Sequence, residues 1–236
     1  MGRPLLEVSA LHPADAEAAE QGGADRLLLV AGDGFDGLSP EPALVSAVCH
    51  ATALPVRVVL RLTDTYATTG GEVTRLMGLA VDYLAVGAEG LVYGFLTADL
   101  DVDVDVCAAI ADAVNGAPWT FSRAVDHALD TRRAWRQLAA LPGLDAVLTA
   151  GSALGVANGL SVLTDRAKAN PGEARLIVAG GGLAAEHVPW LLRAGVRGFH
   201  VGPQVRPGGS VKAYVDAAYV RSWRRLLDET GPGIPG

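Results

Sequence analysis

Polar or glycine-rich residues recur in this chain where apolar runs end: Glu7 in LLEVSA, Arg61 in VRVVLRL, Ser122, Arg123 and Asp126 in TFSRAVD, Gly181 and Gly182 in IVAGGG, and His200 and Gly202 in FHVG. Gathered round one cavity, these residue types bind and act on anions. A guanidinium at Arg61 or Arg123 clamps a carboxylate or phosphate through paired N–H donors. Backbone amides at Gly181, Gly182 and Gly202 reach phosphate oxygens, since no Cβ stands in the way. Glu7 and His200 are the candidates for moving a proton, that is, for a catalytic role. Each assignment has a structural alternative. Glu7 and His200 would also close an internal ion-pair network, Asp126 would serve only to hold Arg123, and the glycines would simply make tight turns. Ser122 has no adjacent histidine and sits in no GxSxG elbow, so it is read as a hydrogen-bonding ligand residue and not as a nucleophile.

The elements that must position these residues alternate. Strand candidates run Leu5 to Ala10, Arg26 to Ala31, Val56 to Leu62, Leu91 to Leu96, Trp119 to Arg123, Ala146 to Ala150, Leu176 to Ala179 and Gly198 to Val201, and a helical pattern follows each. Apolar spacing in Leu76, Leu79, Ala80 and Tyr83, or in Leu191, Leu192 and Ala194, marks such helices. Ser39-Pro40 reads as an N-cap with proline at the first helical position, while Gly87, Gly143 and Gly195 stand where helices should end. This alternation predicts an α/β fold of one (β/α)8 TIM-type barrel spanning residues 1–230, with 231–236 as a flexible tail. The rival, an open doubly wound sheet, would place GxGxxG after the first strand, where this chain has SALHP. The later cluster GDGFDG reads instead as a loop over the barrel mouth. Side chains alternate along a strand, so Leu6, Val8, Leu60, Leu62, Phe199 and Val201 should face the helices, and Glu7, Arg61 and His200 the barrel.

Composition narrows the function classes. With 50% hydrophobic residues among 236, the chain can bury a large core, and a net charge of −7 disfavours a nucleic-acid partner. The two cysteines, Cys49 and Cys107, lie outside any CxxC pattern, and His12, His50, His127 and His187 are isolated in sequence. The run Asp99 to Asp105 is better suited to starting a helix than to holding a hard cation. No metal site is therefore assigned from these residues. No apolar run reaches the roughly 20 residues of a membrane span. A cytoplasmic protein, with no membrane partner, is expected.

Taken as a set, LLEV, GGADR, GLSPE, Arg61, YGFLTAD, TFSRAVD, LTAG, AGGG and FHV resemble the CutC family in order and spacing, from about Leu5 to about Val211. The resemblance implies a TIM-type barrel, a cytoplasmic homodimer or other homo-oligomer, and a part in copper homeostasis without a defined reaction. It implies copper as the associated metal. Family members carry Cys, Glu, Cys and His where this chain has Ser9, Leu28, Val30 and Ser122. Weak ligands or non-ligands therefore stand at those four places. Glu7, Arg61, Thr97, Arg123, Asp126, Thr149, Gly151 and His200 match the family. These favour a pocket for a small anionic ligand, with a phosphorylated or carboxylated metabolite as the alternative reading and a non-catalytic scaffold as the third. The loop FHVGPQVRPGG is longer than the family's ending, and its Arg206 is a further candidate for the anion site.

Overall fold

A computed structural model describes residues 2–32 and 37–230 of the chain. Most of the GDGFDG loop expected over the mouth, including Phe35, and the tail 231–236 lie outside the described residues. Strands β1 (Leu5–Ala10), β2 (Arg26–Leu29), β3 (Val56–Val59), β4 (Gly90–Tyr93), β5 (Trp119–Phe121), β6 (Leu144–Thr149), β7 (Ile177–Ala179) and β8 (Gly198–Val201) form a closed barrel. All neighbours are parallel, and β8 closes on β1 with Glu7 opposite His200. Helices α1 (Pro13–Gly22), α2 (Pro42–His50), α3 (Gly70–Ala85), α4 (Val104–Ala113), α5 (Thr131–Leu138) and α6 (Val156–Ala169) follow the first six strands. A short α7 (Pro171–Leu176) leads into β7, and α8 (Val188–Ala194) and α9 (Ala217–Thr230) complete the ring. This is the expected (β/α)8 barrel.

The strands are buried on both faces, which is why they read as near-continuous runs such as RLLL and VRVV. Their outward side chains, among them Leu6, Val8, Leu60, Phe199 and Val201, pack beneath the helices. Inward side chains Leu28, Val30, Val59, Val92, Leu148 and Val178 fill the barrel. The alternation therefore falls as expected.

Several boundaries differ from the sequence expectation. The ladders of β2, β3, β4 and β5 end two or three residues early, because the chain leaves the sheet to build the mouth: Ala31 bridges to Leu38 and Leu96 to Val102. Ser39 is not an N-cap. α2 begins at Pro42 with Glu41 before it, and the Ser39 hydroxyl instead accepts from the Arg61 amide at 2.8 Å. Gly87 and Gly195 do end helices with positive φ, whereas Gly143 turns the chain into β6 well after α5 has ended. The aspartate run starts α4, with Asp103 accepting from the Val106 amide.

The loop after β8 is fixed by a buried ion pair. Arg206 donates to both Asp15 oxygens, at 3.2 and 2.8 Å, and to the carbonyl of Ser9. Both side chains are fully sealed from solvent. Asp15 also accepts from the amides of Leu11, His12 and Val215. Arg206 thus staples the loop to the first turn of α1 and does not join an anion site at the mouth.

Candidate functional site

The barrel interior carries a line of four polar side chains. Arg26 Nε donates to Glu7 Oε2 at 2.6 Å, His200 Nδ1 lies 2.8 Å from Glu7 Oε1, and His200 Nε2 lies 2.9 Å from Ser9 Oγ. Glu7 is 1% exposed and Ser9 fully buried. Burial alone would raise the Glu7 pKa, but the Arg26 charge, the His200 hydrogen bond and the charges of His200 and Arg57 outweigh it and hold the carboxyl well below its usual range. With Glu7 ionised and able only to accept, Nδ1–H donates to the carboxylate, and Nε2 pairs with the Ser9 hydroxyl. Both ring nitrogens of His200 are therefore engaged. Glu7 lines no cavity described below. On the barrel floor, Arg57 holds Asp145 with two bonds, at 2.7 and 2.6 Å, and reaches Thr120 and Glu89.

Above this line lies a cavity of about 410 Å³ at the C-terminal ends of β6 to β8, lined by Arg123, Leu148, Leu154, Gly181, Gly182 and the ring of His200 among others. Arg123 reaches it because β5 ends in a one-turn 3-10 helix, Arg123–His127, capped by Ser122 Oγ. Its guanidinium donates to Asp126 at 3.1 Å and to the Ala153 carbonyl at 3.3 Å. Asp126 in turn accepts from Thr149 Oγ1 at 2.6 Å and from the amides of Ala150 and Gly151. Burial raises the Asp126 pKa more than Thr149, Ala150 and Arg123 lower it, so the carboxyl sits above its ordinary value.

Glycine is required at the cavity floor. A Cβ at Gly180 would fall 2.7 Å from Leu148 Cδ1 and 2.8 Å from the His200 Cβ. Gly181 and Gly182 follow with φ of 86° and 76°, and the Arg123 guanidinium packs against Gly181 so closely that a Cβ there would lie 2.7 Å from Cζ. Among the described residues, no hydrogen-bond acceptor engages the amides of Gly181 or Gly182. Successive amides in such a conformation form a concavity suited to anions.

A second cavity, of only about 30 Å³, lies over the barrel axis and is lined by Arg61, Tyr66, Ser122 and Arg123 above Leu28 and Val59. Arg61 Nε donates to the Thr63 carbonyl at 2.7 Å, and its Cζ lies 5.0 Å from the centre of the Tyr66 ring.

The structure therefore brings Arg61, Ser122, Arg123, Gly181, Gly182, Gly202 and His200 to the mouth. It does not bring Thr97, Thr149 or Gly151 to either cavity. Thr97 closes a turn with Asp101, and Thr149 and Gly151 hold Asp126. The Gly202 amide is taken by its neighbour Gln204 Oε1 at 3.0 Å. Gly155, Leu154 and Gln204 were not legible as site residues, because loop geometry and not residue type puts them there.

The CutC family profile matches residues 5–205. The chain is 34% identical over 197 residues to the family protein CutC of Klebsiella pneumoniae strain 342, covering 83% of this chain and 78% of that protein. The chain belongs to the CutC family. A family protein CutC of Salmonella schwarzengrund is 33% identical over 198 residues, covering 83% and 78%. Among solved structures, a Streptococcus agalactiae chain named as copper homeostasis protein CutC superposes with a TM-score of 0.74 at 22% identity, covering 84% of this chain and 98% of that one. A thiamine phosphate pyrophosphorylase of Pyrococcus furiosus, at TM-score 0.61 and 17% identity over 96% of both chains, shares the barrel alone.

The four positions that the resemblance marks as departures, Ser9, Leu28, Val30 and Ser122, all lie in or just above the barrel interior. Ser9, Leu28 and Val30 are buried with inward side chains, and Ser122 lines the small cavity above Leu28. The remaining soft ligands do not compensate. Burial pushes the Cys107 thiol up to about 12 and also raises Cys49. Among the described residues, no group of three or more His, Cys, Asp or Glu is placed to hold a metal ion. These residues do not fit a copper site.

Proposed function

We propose that this CutC-family barrel binds a small phosphorylated metabolite at the C-terminal mouth, with Gly181 and Gly182 amides and the Arg123 guanidinium on the phosphate. The observation that carries the reading is the pair of positive-φ glycines in the 410 Å³ cavity, with an arginine clamped against the first of them. Asp126 pre-orients that arginine, which lowers the ordering cost of binding. Binding is favoured over catalysis. Glu7 is closed into its pair with Arg26, and neither nitrogen of His200 is open to a ligand. The role in copper homeostasis suggested by the family would then be indirect, through the ligand and not through a bound ion. A cytoplasmic location belongs to this reading and agrees with the two free cysteines.

Thermal unfolding against inorganic phosphate and simple phosphate esters tests the reading. A ligand at 100 times its Kd adds about 2.7 kcal/mol, a rise in Tm of about 5 to 11 °C for a chain of this size. Arg123→Ala and Gly181→Ala should abolish the rise. No rise with any phosphate compound, or an undiminished rise in both variants, overturns it.

A further inference from the structure

Barrel order puts the loop after β7, with Gly181 and Gly182, between the loops after β6 and β8. From the β6 side Ala153 and Leu154 line the larger cavity, from the β8 side Pro203, and Leu148 reaches it from the barrel's inner shell. Leu154 is 79% exposed, yet its loop is fixed. Arg123 donates to the Ala153 carbonyl at 3.3 Å, the Leu154 amide to Ser152 Oγ at 3.2 Å, Asn158 Nδ2 to the Leu154 carbonyl at 3.3 Å and the Val156 amide to the Gly181 carbonyl at 2.9 Å. A large apolar side chain is thus held in water at the wall of a cavity. Among the described residues, the polar side chains lining that cavity are Arg123, His200 and Gln204. Both nitrogens of His200 are taken by Glu7 and Ser9. Gln204 is engaged at both ends, Oε1 accepting from the Gly202 amide at 3.0 Å and Nε2 donating to the Leu183 carbonyl at 2.7 Å. Away from Arg123 and the glycine amides, the described walls therefore offer hydrocarbon and side-chain polar groups already engaged within the protein.

Resting on the phosphate reading above, we infer that the ligand is the phosphate monoester of an apolar alcohol, its hydrocarbon part lying against Leu148, Leu154 and Pro203. At about 410 Å³ the cavity exceeds what a phosphate alone fills, since one water takes about 30 Å³ of liquid. Each hydroxyl of a sugar or polyol body would give up water for these walls and gain no side-chain partner, which lowers affinity. A methylene in the same place leaves water favourably, tightening binding by up to about fourfold when fully buried. Covering Leu154 also removes that side chain's own apolar surface from water. Leu154 is therefore the residue that selects the ester's body, as Arg123 and the glycines select its head.

The test is titration calorimetry of inorganic phosphate, ethyl, butyl and hexyl phosphate, and glycerol 3-phosphate on the wild-type chain, Leu154→Ala, Leu154→Asn and Arg123→Ala. In the wild type, affinity should rise along the alkyl series, with butyl phosphate binding about tenfold or more tightly than glycerol 3-phosphate and with a more negative heat-capacity change. Relative to inorganic phosphate on the same variant, that rise should flatten in Leu154→Ala and flatten further in Leu154→Asn. Arg123→Ala should weaken every phosphate compound. A flat alkyl series, glycerol 3-phosphate binding as tightly as butyl phosphate, or a rise undiminished in both Leu154 variants overturns the inference and leaves phosphate binding standing. Failure of every compound to bind, inorganic phosphate included, overturns the underlying reading as well. Melting curves of each variant establish that the barrel is folded.

Discussion

Replacing Glu7 by Gln should cost this barrel a large part of its stability. The carboxylate offers two acceptors, one to Arg26 Nε at 2.6 Å and one to His200 Nδ1 at 2.8 Å. An amide offers one acceptor and turns an NH2 toward a donor. Arg26 is 8% exposed and its Nη2 already has no hydrogen-bond partner among the described residues, so the variant leaves a buried cation without its counter-charge. Breaking a buried pair by removing one member costs about 3 to 5 kcal/mol. For a chain of 236 residues, that lowers Tm by about 6 to 20 °C. The assay is calorimetric or spectroscopic melting at pH 7 of wild type, Glu7→Gln and the double variant Glu7→Gln/Arg26→Gln, which should recover part of the loss. The pH dependence has a definite sign. Because the folded pKa is held below the unfolded value, the Glu7 contribution is complete above about pH 4.3 and fades as pH falls toward the folded value. The gap between wild type and variant should therefore narrow in acid. A Glu7→Gln barrel melting within about 2 °C of wild type at pH 7, or a gap that widens in acid, refutes this account.

Three further outcomes follow from the same geometry. Arg206→Ala strands the fully buried Asp15 and should lower Tm by a similar amount, about 6 to 20 °C, with hydrogen exchange accelerated in the loop after β8 more than elsewhere. In a carboxyl NMR titration, Asp126 should lose its proton above the ordinary aspartate range and Glu7 below the ordinary glutamate range, so that raising pH through the Asp126 transition lowers stability while raising it through the Glu7 transition increases it; coincident titrations would contradict the buried pairing of both. In a Cu(I) competition against a bicinchoninate chelator, the purified chain should retain no stoichiometric copper, and one equivalent retained would show that Cys49, Cys107 or the histidines form a site these positions do not display.

The barrel was legible because its signal is redundant. Each strand is an apolar run buried on both faces, and the alternation that puts Leu6 and Val8 outward also puts Glu7 inward. His200 followed from the same rule on β8. The partners of these groups were not legible. Arg26 opens its strand and resembles a surface residue before an apolar run, and only the register of β1 against β2, with Glu7 opposite Arg26, turns it inward. Asp15 and Arg206 are 191 residues apart, and nothing local marks either as buried. At the mouth, Gly181 and Gly182 stood out as a run after a strand. Gln204 and Leu154 did not, because a 3-10 turn and a loop carry them to the cavity wall. Ser39 misled, since a Ser-Pro pair before an apolar run satisfies the capping pattern whether or not the helix starts there.

Family membership and metal chemistry come apart in this chain at four places. Position 9 is a hydroxyl hydrogen-bonded to His200 Nε2, which occupies the one nitrogen a metal would use on that ring while Glu7 holds the other. Positions 28 and 30 are leucine and valine packed against the barrel's inner shell, and neither side chain has a lone pair to give. Position 122 is a serine whose oxygen caps the turn that delivers Arg123. Arg61, Arg123, Gly181 and Gly182, the groups named for an anion, stand at the mouth beside these positions. A guanidinium held in place by Asp126 serves no purpose at a site for a cation, whereas it suits an anion. The oriented arginine is therefore the feature on which the phosphate proposal stands or falls.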